Sequence, residues 1–198
     1  AGSILKDREA KRKMEYNFPV TRTTHPKPRP ADETKLGFAK YFTDHMLYME
    51  YVDGKWGEVE IRPFSDIAVN PASVVFHYGQ EIFEGMKAYK NTDGKITMFR
   101  PRDNILRMNR SAKRLCMAEL PVDEVLEGIF ELVRIEKDWI PTDPGTSLYI
   151  RPTMIANENF LGVHPSKKYI FFVILSPVGS YYAHRHAPTG VTTFPSKT

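Results

Sequence analysis

Tyr149 and Arg151 are two residues whose types and spacing could bind an anionic ligand. They lie in the alternating segment 147–151, where the two-residue period of a strand places both on one face. Their polar tips would then lie about 7 Å apart. A phenol beside a guanidinium suits a carboxylate, because arginine offers two parallel donors. A solvated outer face of a sheet is equally compatible with the pattern.

The segment 77–89 mixes aromatic, glycine and ionisable residues more densely than any other part of the sequence. The pattern predicts a short helix that breaks at Gly85 and continues as a strand, with Gly79 and Gly85 bracketing an apolar turn. A bend with aromatic walls and backbone made accessible by glycine can form a small-molecule pocket. A plain helix-to-strand corner with a hydrogen-bonded His77 is the alternative.

Three other side chains are candidates for chemistry. Arg107, early in a predicted helix, could bind phosphate through two hydrogen bonds, or could simply lie on the surface. His77 could be a base or a ligand, but no second histidine stands at metal-ligand spacing, so we predict no metal site. Cys116 lies among apolar residues, which favours a place in the core over a nucleophile. The sequence contains no glycine-rich phosphate loop and no nucleophile elbow.

The helices that must position these residues are predicted from apolar periodicity and capping signals. Residues 71–83 are predicted as a helix with Asn70 as N-cap and Pro71 at the first helical position. Asp103 and Asp123 are predicted to cap two further helices. The apolar stripes of these helices comprise Ile105, Met108, Ala112 and Leu115 in the first, and Leu126, Ile129, Phe130 and Val133 in the second.

The strands are predicted from alternation and turn signals, and the turns Asp53-Gly54 and Asn91-Thr92-Asp93-Gly94 indicate two hairpins. Pro152 cannot donate to a ladder, which predicts an edge strand or a bulge there. Hairpins without βαβ repetition predict an α+β fold with a largely antiparallel sheet and flanking helices. The predicted strands are 44–52, 56–62, 86–90, 95–99, 147–156 and 168–176.

Composition restricts the class of protein. Of 198 residues, 41% are hydrophobic and 26% charged, as in soluble globular proteins. The net charge of +4 resides in residues 1–30, which carry +5, and no basic and aromatic residues alternate, so we predict no nucleic-acid partner. No apolar run approaches the roughly 18 residues of a membrane helix. A single cysteine and a charged N-terminus without a signal peptide favour the cytoplasm.

Several ordered motifs carry a resemblance to a known family. The chain resembles the branched-chain amino acid aminotransferases, which are pyridoxal 5′-phosphate enzymes of fold type IV, from about residue 14 to residue 182. The motifs that carry the resemblance are Phe38 to Met46, His77 to Gly85, Phe99-Arg100-Pro101, Arg107 to Ala112, Thr146 to Pro152, Leu161-Gly162-Val163 and Leu175 to Tyr182.

The resemblance implies the small N-terminal domain of the fold-type-IV (D-amino acid aminotransferase-like) fold. We expect a basic, proline-rich arm over 1–35, the small domain over 36–178, and an interdomain start with a non-matching tail over 179–198. The implied activity is transamination of leucine, isoleucine or valine with 2-oxoglutarate, with pyridoxal 5′-phosphate as cofactor and a homodimer as assembly.

The resemblance also implies roles for individual residues. Arg107 matches the arginine that binds the cofactor phosphate. Arg151, with Tyr78, matches the group that holds the distal carboxylate of glutamate or 2-oxoglutarate, and Tyr78 and Val163 match positions that reach the neighbouring subunit's pocket. The residues implied in the chain's own substrate pocket are Phe38, Phe83, Gly85, Tyr149 and Tyr181.

The family pattern breaks after Tyr182. The family needs a Schiff-base lysine in a second domain, and the tail from Ala183 onward no longer follows the family, so we expect that lysine and the second domain to be missing. Lys197 has neighbours that do not match the family motif. A truncated or frame-shifted coding sequence is our hypothesis. A catalytically inactive remnant that only folds or dimerises is therefore the alternative function.

Overall fold

A computed structural model of the protein describes residues 16–179. Its main element is one eight-stranded sheet whose order is β2-β1-β8-β7-β5-β6, with β3 also paired to β1 and β4 to β7. Every pair of named strands is antiparallel, so the predicted α+β class with an antiparallel sheet is confirmed. The strands are β1 (His45–Val52), β2 (Lys55–Trp56), β3 (Glu60–Pro63), β4 (Glu81–Phe83), β5 (Met86–Lys90), β6 (Ile96–Met98), β7 (Ser147–Ala156) and β8 (Tyr169–Val178).

Three α-helices lie in the described part of the chain. They are α1 (Val74–Tyr78), α2 (Pro101–Arg114) and α3 (Val122–Ile135), and short 3₁₀ turns occupy Glu33–Lys35 and Lys137–Trp139. Both predicted hairpin turns are present, because Asp53 and Gly54 have φ of 53° and 81° and Gly94 has φ of 78°.

Strand β7 organises the sheet. It pairs with β8 along its whole length and with β4 and β5 on its other side. Its core-facing residues, Leu148, Ile150, Met154 and Ala156, are all fully buried. Tyr149 and Arg151 lie on the opposite face and are half-buried, so the predicted two-residue alternation is confirmed.

The main hydrophobic core lies between the sheet and the helices α2 and α3. Ile105, Met108 and Ala112 of α2 recur at helical spacing and are fully buried, and α3 contributes Val125, Ile129 and Leu132 in the same way. Leu115, which the apolar stripe of α2 included, is instead 43% exposed. Phe130 in α3 is half-buried.

The predicted N-caps of α2 and α3 were wrong. Arg100 and Pro121 hold the N-cap positions, and Asp103 and Asp123 lie in the first turns. The fixed φ of Pro101 suits the first helical position and sets the start of α2 two residues before the aspartate. Acidic groups are still favourable there, because they face the positive end of the helix dipole.

The helix predicted over 71–83 was also wrong. The helix α1 covers five residues, its N-cap is Ser73, and Gly79 ends it in the left-handed conformation with φ of 59°. Asn70 accepts the Ala72 N–H at 2.9 Å and so closes a turn before the helix. The following residues, Glu81–Phe83, pair with β7 instead of continuing the helix.

Two features of the strands differ from expectation. Pro152 lies in a central strand, not at an edge, opposite the break between β4 and β5, and its carbonyl accepts the Glu84 N–H at 2.9 Å. The strand predicted over 56–62 is divided into β2 and β3, because three residues face two of β1 between Trp56 and Glu60.

The proline-rich segment before β1 is irregular but is hydrogen-bonded to the sheet. Thr21 donates its N–H to the Ile61 carbonyl at 2.8 Å, and Ile61 donates to the Pro19 carbonyl at 2.9 Å. The Thr23 N–H donates to Nε2 of the buried His45 at 2.9 Å, and His45 Nδ1 is paired with Glu136. The arm therefore lies along the free side of β3.

Candidate active site

The centre of the candidate site is the pair Tyr149 and Arg151 on the sheet face away from α2 and α3. Arg151 Nη2 donates to the Tyr149 hydroxyl at 2.8 Å. The expected separation of about 7 Å between their tips was wrong, because the arginine side chain is long enough to bend along the strand to the phenol. Arg151 Nε is buried and has no hydrogen-bond partner among residues 16–179, so the described residues do not use the full hydrogen-bonding capacity of this guanidinium.

Aromatic rings surround this pair. The Arg151 guanidinium carbon lies 4.4 Å from the centroid of the Phe83 ring, and the Phe38 ring meets Tyr149 edge-on at 5.1 Å. A Cβ at Gly85 would lie 2.2 Å from the Tyr149 hydroxyl, so the absent side chain makes room for the phenol. We call Phe38, Phe83, Gly85, Tyr149 and Arg151 the aromatic box.

Beside the box, Arg107 of α2 is bound to Glu84, which lies between β4 and β5. Arg107 Nε donates to Glu84 Oε1 at 2.7 Å and Nη2 donates to Oε2 at 2.6 Å. The Glu84 side chain is 6% exposed, whereas that of Arg107 is 58% exposed. The structure thus places one edge of a charged guanidinium against protein and the rest toward solvent.

Residues 84 and 85 connect the arginine to the box. Successive side chains of an extended segment point to opposite faces, so Glu84 faces α2 while position 85 faces Tyr149. Asn104, one turn before Arg107, donates to Glu84 Oε2 at 3.3 Å and to the Gly85 carbonyl at 3.2 Å. These hydrogen bonds hold residues 84 and 85, which connect the Arg107 position to the aromatic box.

The electrostatics of the pair keep Glu84 ionised. Burial would raise the pKa of Glu84, but hydrogen bonds from Arg107 and Asn104 outweigh it and lower that pKa. The hydrogen bonds to Glu84 raise the already high pKa of Arg107. The pair is therefore an ionised one at neutral pH.

Tyr78 and Val163 lie elsewhere, around α1 and the loop before β8. The Tyr78 hydroxyl donates to the Leu161 carbonyl, and Val163 is 87% exposed. His77 Nε2 is hydrogen-bonded to the Pro71 carbonyl at 2.9 Å, as expected of a structural histidine with no catalytic role. The structure thus unites five of the predicted site residues in the box and separates these two from it.

Two further expectations concern other regions. Cys116 is exposed, not buried, and has φ of 54°, because it follows the end of α2 where the chain reverses toward Met117. Tyr181 and Lys197 lie outside the described residues, so their expected positions are untested.

Glu84 and Asn104 were missed by the sequence analysis. Glu84 is bound to Asn104 and Arg107, which lie 20 and 23 residues away in the sequence, and no local period links them. An acidic residue between two apolar strand segments, followed by a glycine, was the available signal. Within residues 16–179 no group of three or more His, Cys, Asp or Glu side chains is placed to hold a metal ion. None of the described helices combines the length and apolarity needed to cross a membrane.

Comparison with known proteins relates the chain to one class of enzyme, although no family model matches it. It is 50% identical over 162 residues, 81% of this chain and 45% of the relative, to branched-chain-amino-acid transaminase 1 of Bacillus subtilis. It is 46% identical over 161 residues, 81% of this chain and 41% of the relative, to the mitochondrial branched-chain-amino-acid aminotransferase of Rattus norvegicus.

Solved structures of the same name are also similar. A branched-chain amino acid aminotransferase of Escherichia coli matches with a TM-score of 0.49 and 26% identity over 69% of this chain and 40% of that one. A T.th. branched-chain aminotransferase with pyridoxamine 5′-phosphate matches with the same TM-score and identity over 68% of this chain and 41% of that one.

The sequence relatives are aminotransferases, and the chain is homologous to this class of enzyme. Within the class it is a relative of the branched-chain aminotransferases, which confirms the resemblance drawn from the motifs. The chain spans about half the length of the curated relatives it matches.

Proposed function

We propose that this chain forms part of a pyridoxal 5′-phosphate-dependent aminotransferase that transfers the amino group of leucine, isoleucine or valine to 2-oxoglutarate. The observation that carries the proposal is the 50% identity to the Bacillus subtilis transaminase over 81% of this chain. The arrangement of the two arginines and the aromatic box supports it, because both the cofactor and one of the substrates are anions.

The residues near Arg107 fit the phosphate of this cofactor. The guanidinium is exposed, and Nη1 makes no hydrogen bond within residues 16–179. An arginine with free donors on a rigid helix suits a phosphate group. When bound, pyridoxal phosphate supplies an electron sink for the pair of electrons left when Cα loses its proton.

The aromatic box is suited to substrates of two kinds. Phe38, Phe83 and Tyr149 offer apolar surface for a branched side chain. When such a side chain is bound, Arg151 can keep its hydrogen bond to the Tyr149 hydroxyl and its cation–π contact with the Phe83 ring. When glutamate is bound, the same guanidinium can turn its remaining donors to the distal carboxylate.

We further propose that the surface around α1 forms the homodimer contact. Its apolar side chains are exposed by 43% to 87%. Exposed apolar surface of this kind is typical of protein contacts. The residues are Phe76, Tyr78, Phe160, Leu161 and Val163. Leu161→Glu should convert a dimer to a monomer in analytical ultracentrifugation, and an unchanged sedimentation coefficient would count against this contact.

The function is tested by incubating the purified chain with pyridoxal 5′-phosphate and measuring the visible absorption of bound cofactor, and glutamate formation from leucine and 2-oxoglutarate. Binding with turnover supports the proposal for this chain. If the chain shows no cofactor binding and no turnover, the alternative function, a catalytically inactive remnant, is favoured.

A further inference from the structure

Both oxygens of the buried Glu84 carboxylate accept hydrogen bonds. Its Oε1 accepts from Arg107 Nε, and its Oε2 accepts from Arg107 Nη2 and, at longer range, from Asn104 Nδ2 and the Gly85 N–H at 3.4 Å. A carboxylate so surrounded has little freedom to rotate. Its position is fixed by the sheet on one side and by α2 on the other.

The pairing leaves a defined part of Arg107 available. A guanidinium has an Nε–Nη2 edge and an Nη1–Nη2 edge, and Glu84 occupies the first. The two N–H groups of Nη1 and one of Nη2 remain, and the side chain is 58% exposed. Because the guanidinium is planar, fixing one edge also fixes the direction in which the other edge points.

We infer that Glu84 is a positioning residue, which holds Arg107 by its Nε–Nη2 edge so that the Nη1–Nη2 edge faces the phosphate of the cofactor. This inference rests on the proposed function, since it assigns that phosphate to Arg107. Without Glu84, the arginine side chain would have to lose its rotamer freedom when the anion binds.

A competing effect has the opposite sign. Glu84 is negative and lies close to the place assigned to an anion, so its charge alone weakens phosphate binding. The positive charge of Arg107, which lies against Glu84, offsets this repulsion, and the two hydrogen bonds act directly on the orientation of the guanidinium. We therefore expect the orienting effect of Glu84 to outweigh its repulsion of the phosphate. The affinity of a Glu84 variant for the cofactor shows which effect is larger.

The first test compares the affinity of the full chain for pyridoxal 5′-phosphate among four proteins by equilibrium dialysis. These are the unchanged chain, Glu84→Gln, Arg107→Ala and the control Glu131→Gln, which removes the same charge from an exposed pair with Arg134 on α3. We expect Glu84→Gln to bind pyridoxal 5′-phosphate about tenfold more weakly. Losses of this size are seen when residues that orient metal ligands are replaced. The control should bind like the unchanged chain.

The second test needs no variant. The Nε–H proton of Arg107, protected by Glu84, should give a slowly exchanging NMR signal that remains when inorganic phosphate saturates the site. Loss of the signal on phosphate addition would show that Arg107 leaves Glu84 to bind, and would overturn the inference.

The variants distinguish the positioning role of Glu84 from the assignment of the cofactor phosphate to Arg107. Equal or tighter binding by Glu84→Gln, with weak binding by Arg107→Ala, overturns the positioning role and leaves the proposed cofactor site intact. Unchanged binding by Arg107→Ala overturns the phosphate assignment itself, and the positioning role with it.

Discussion

The two faces of strand β7 differ in what their side chains do, although the same ten residues supply both. One face carries Leu148, Ile150 and Met154, all fully buried against the helices. The other carries Tyr149 and Arg151, which are half-buried and bonded to each other. One strand therefore serves stability on one side and recognition on the other, so substitutions on the two faces should have separable effects.

The largest effect is expected on the core face. Ile150→Ala removes a fully buried side chain at the centre of the sheet and should lower the free energy of unfolding by about 2–5 kcal/mol. Urea unfolding measures the change. Cofactor affinity per folded molecule should stay the same, and a large loss of affinity at unchanged stability would break the distinction between the faces.

A smaller effect, of another kind, is expected from Arg151→Met on the site face. Loss of a charged hydrogen-bond donor should weaken glutamate binding by about 1.5–3 kcal/mol. Leucine binding should change little, because the methionine thioether can pack on the Phe83 ring that the guanidinium covers in the unchanged chain. Calorimetric titration with both amino acids checks this, with urea unfolding as the control for stability. Equal losses for both amino acids would assign Arg151 a structural role.

Tyr149→Phe should have a smaller effect again. The variant keeps the ring contact with Phe38 and removes the hydroxyl that accepts from Arg151. We expect glutamate binding to weaken by about 0.5–1.5 kcal/mol. The same calorimetric titrations measure the loss of affinity. If this face serves recognition, the free energy of unfolding of the variant should stay close to that of the unchanged chain.

The smallest effect on stability is expected from pH at Glu84, because its partner is largely exposed. The folded-state pKa of Glu84 is lowered from the ordinary 4.5, so the stability it contributes is complete above that value and is lost as pH falls through the lowered pKa. Unfolding curves of the unchanged chain and Glu84→Gln should therefore converge in acid. A difference that grows below pH 4.5 would show the opposite shift.

Period and turn chemistry predicted most of the sheet. Alternation predicted β7 with its bounds, and Asp53-Gly54 and Gly94 marked turns that need positive φ. The same local rules failed over 71–83, because residues 81–83 gain more from pairing with β7 than from continuing a helix. Such pairing joins segments about 70 residues apart and leaves no local pattern.

The candidate site shows the same limit. The face shared by Tyr149 and Arg151 followed from spacing, and the family resemblance brought Phe38 and Phe83 to it. The bidentate contact of Arg107 with Glu84 did not follow, because it depends on how α2 lies over the break between β4 and β5. A contact across elements is set by packing, which sequence periods do not encode.

The arm along β3 has a consequence for the behaviour of the protein in solution. By pairing with Ile61, the segment around Val20 covers backbone groups that an outer strand would otherwise present to other molecules. Exposed strand edges recruit further strands and lead to aggregates. Because the N–H and the carbonyl of Ile61 are both already hydrogen-bonded to the arm, an added strand cannot pair with β3 at this residue.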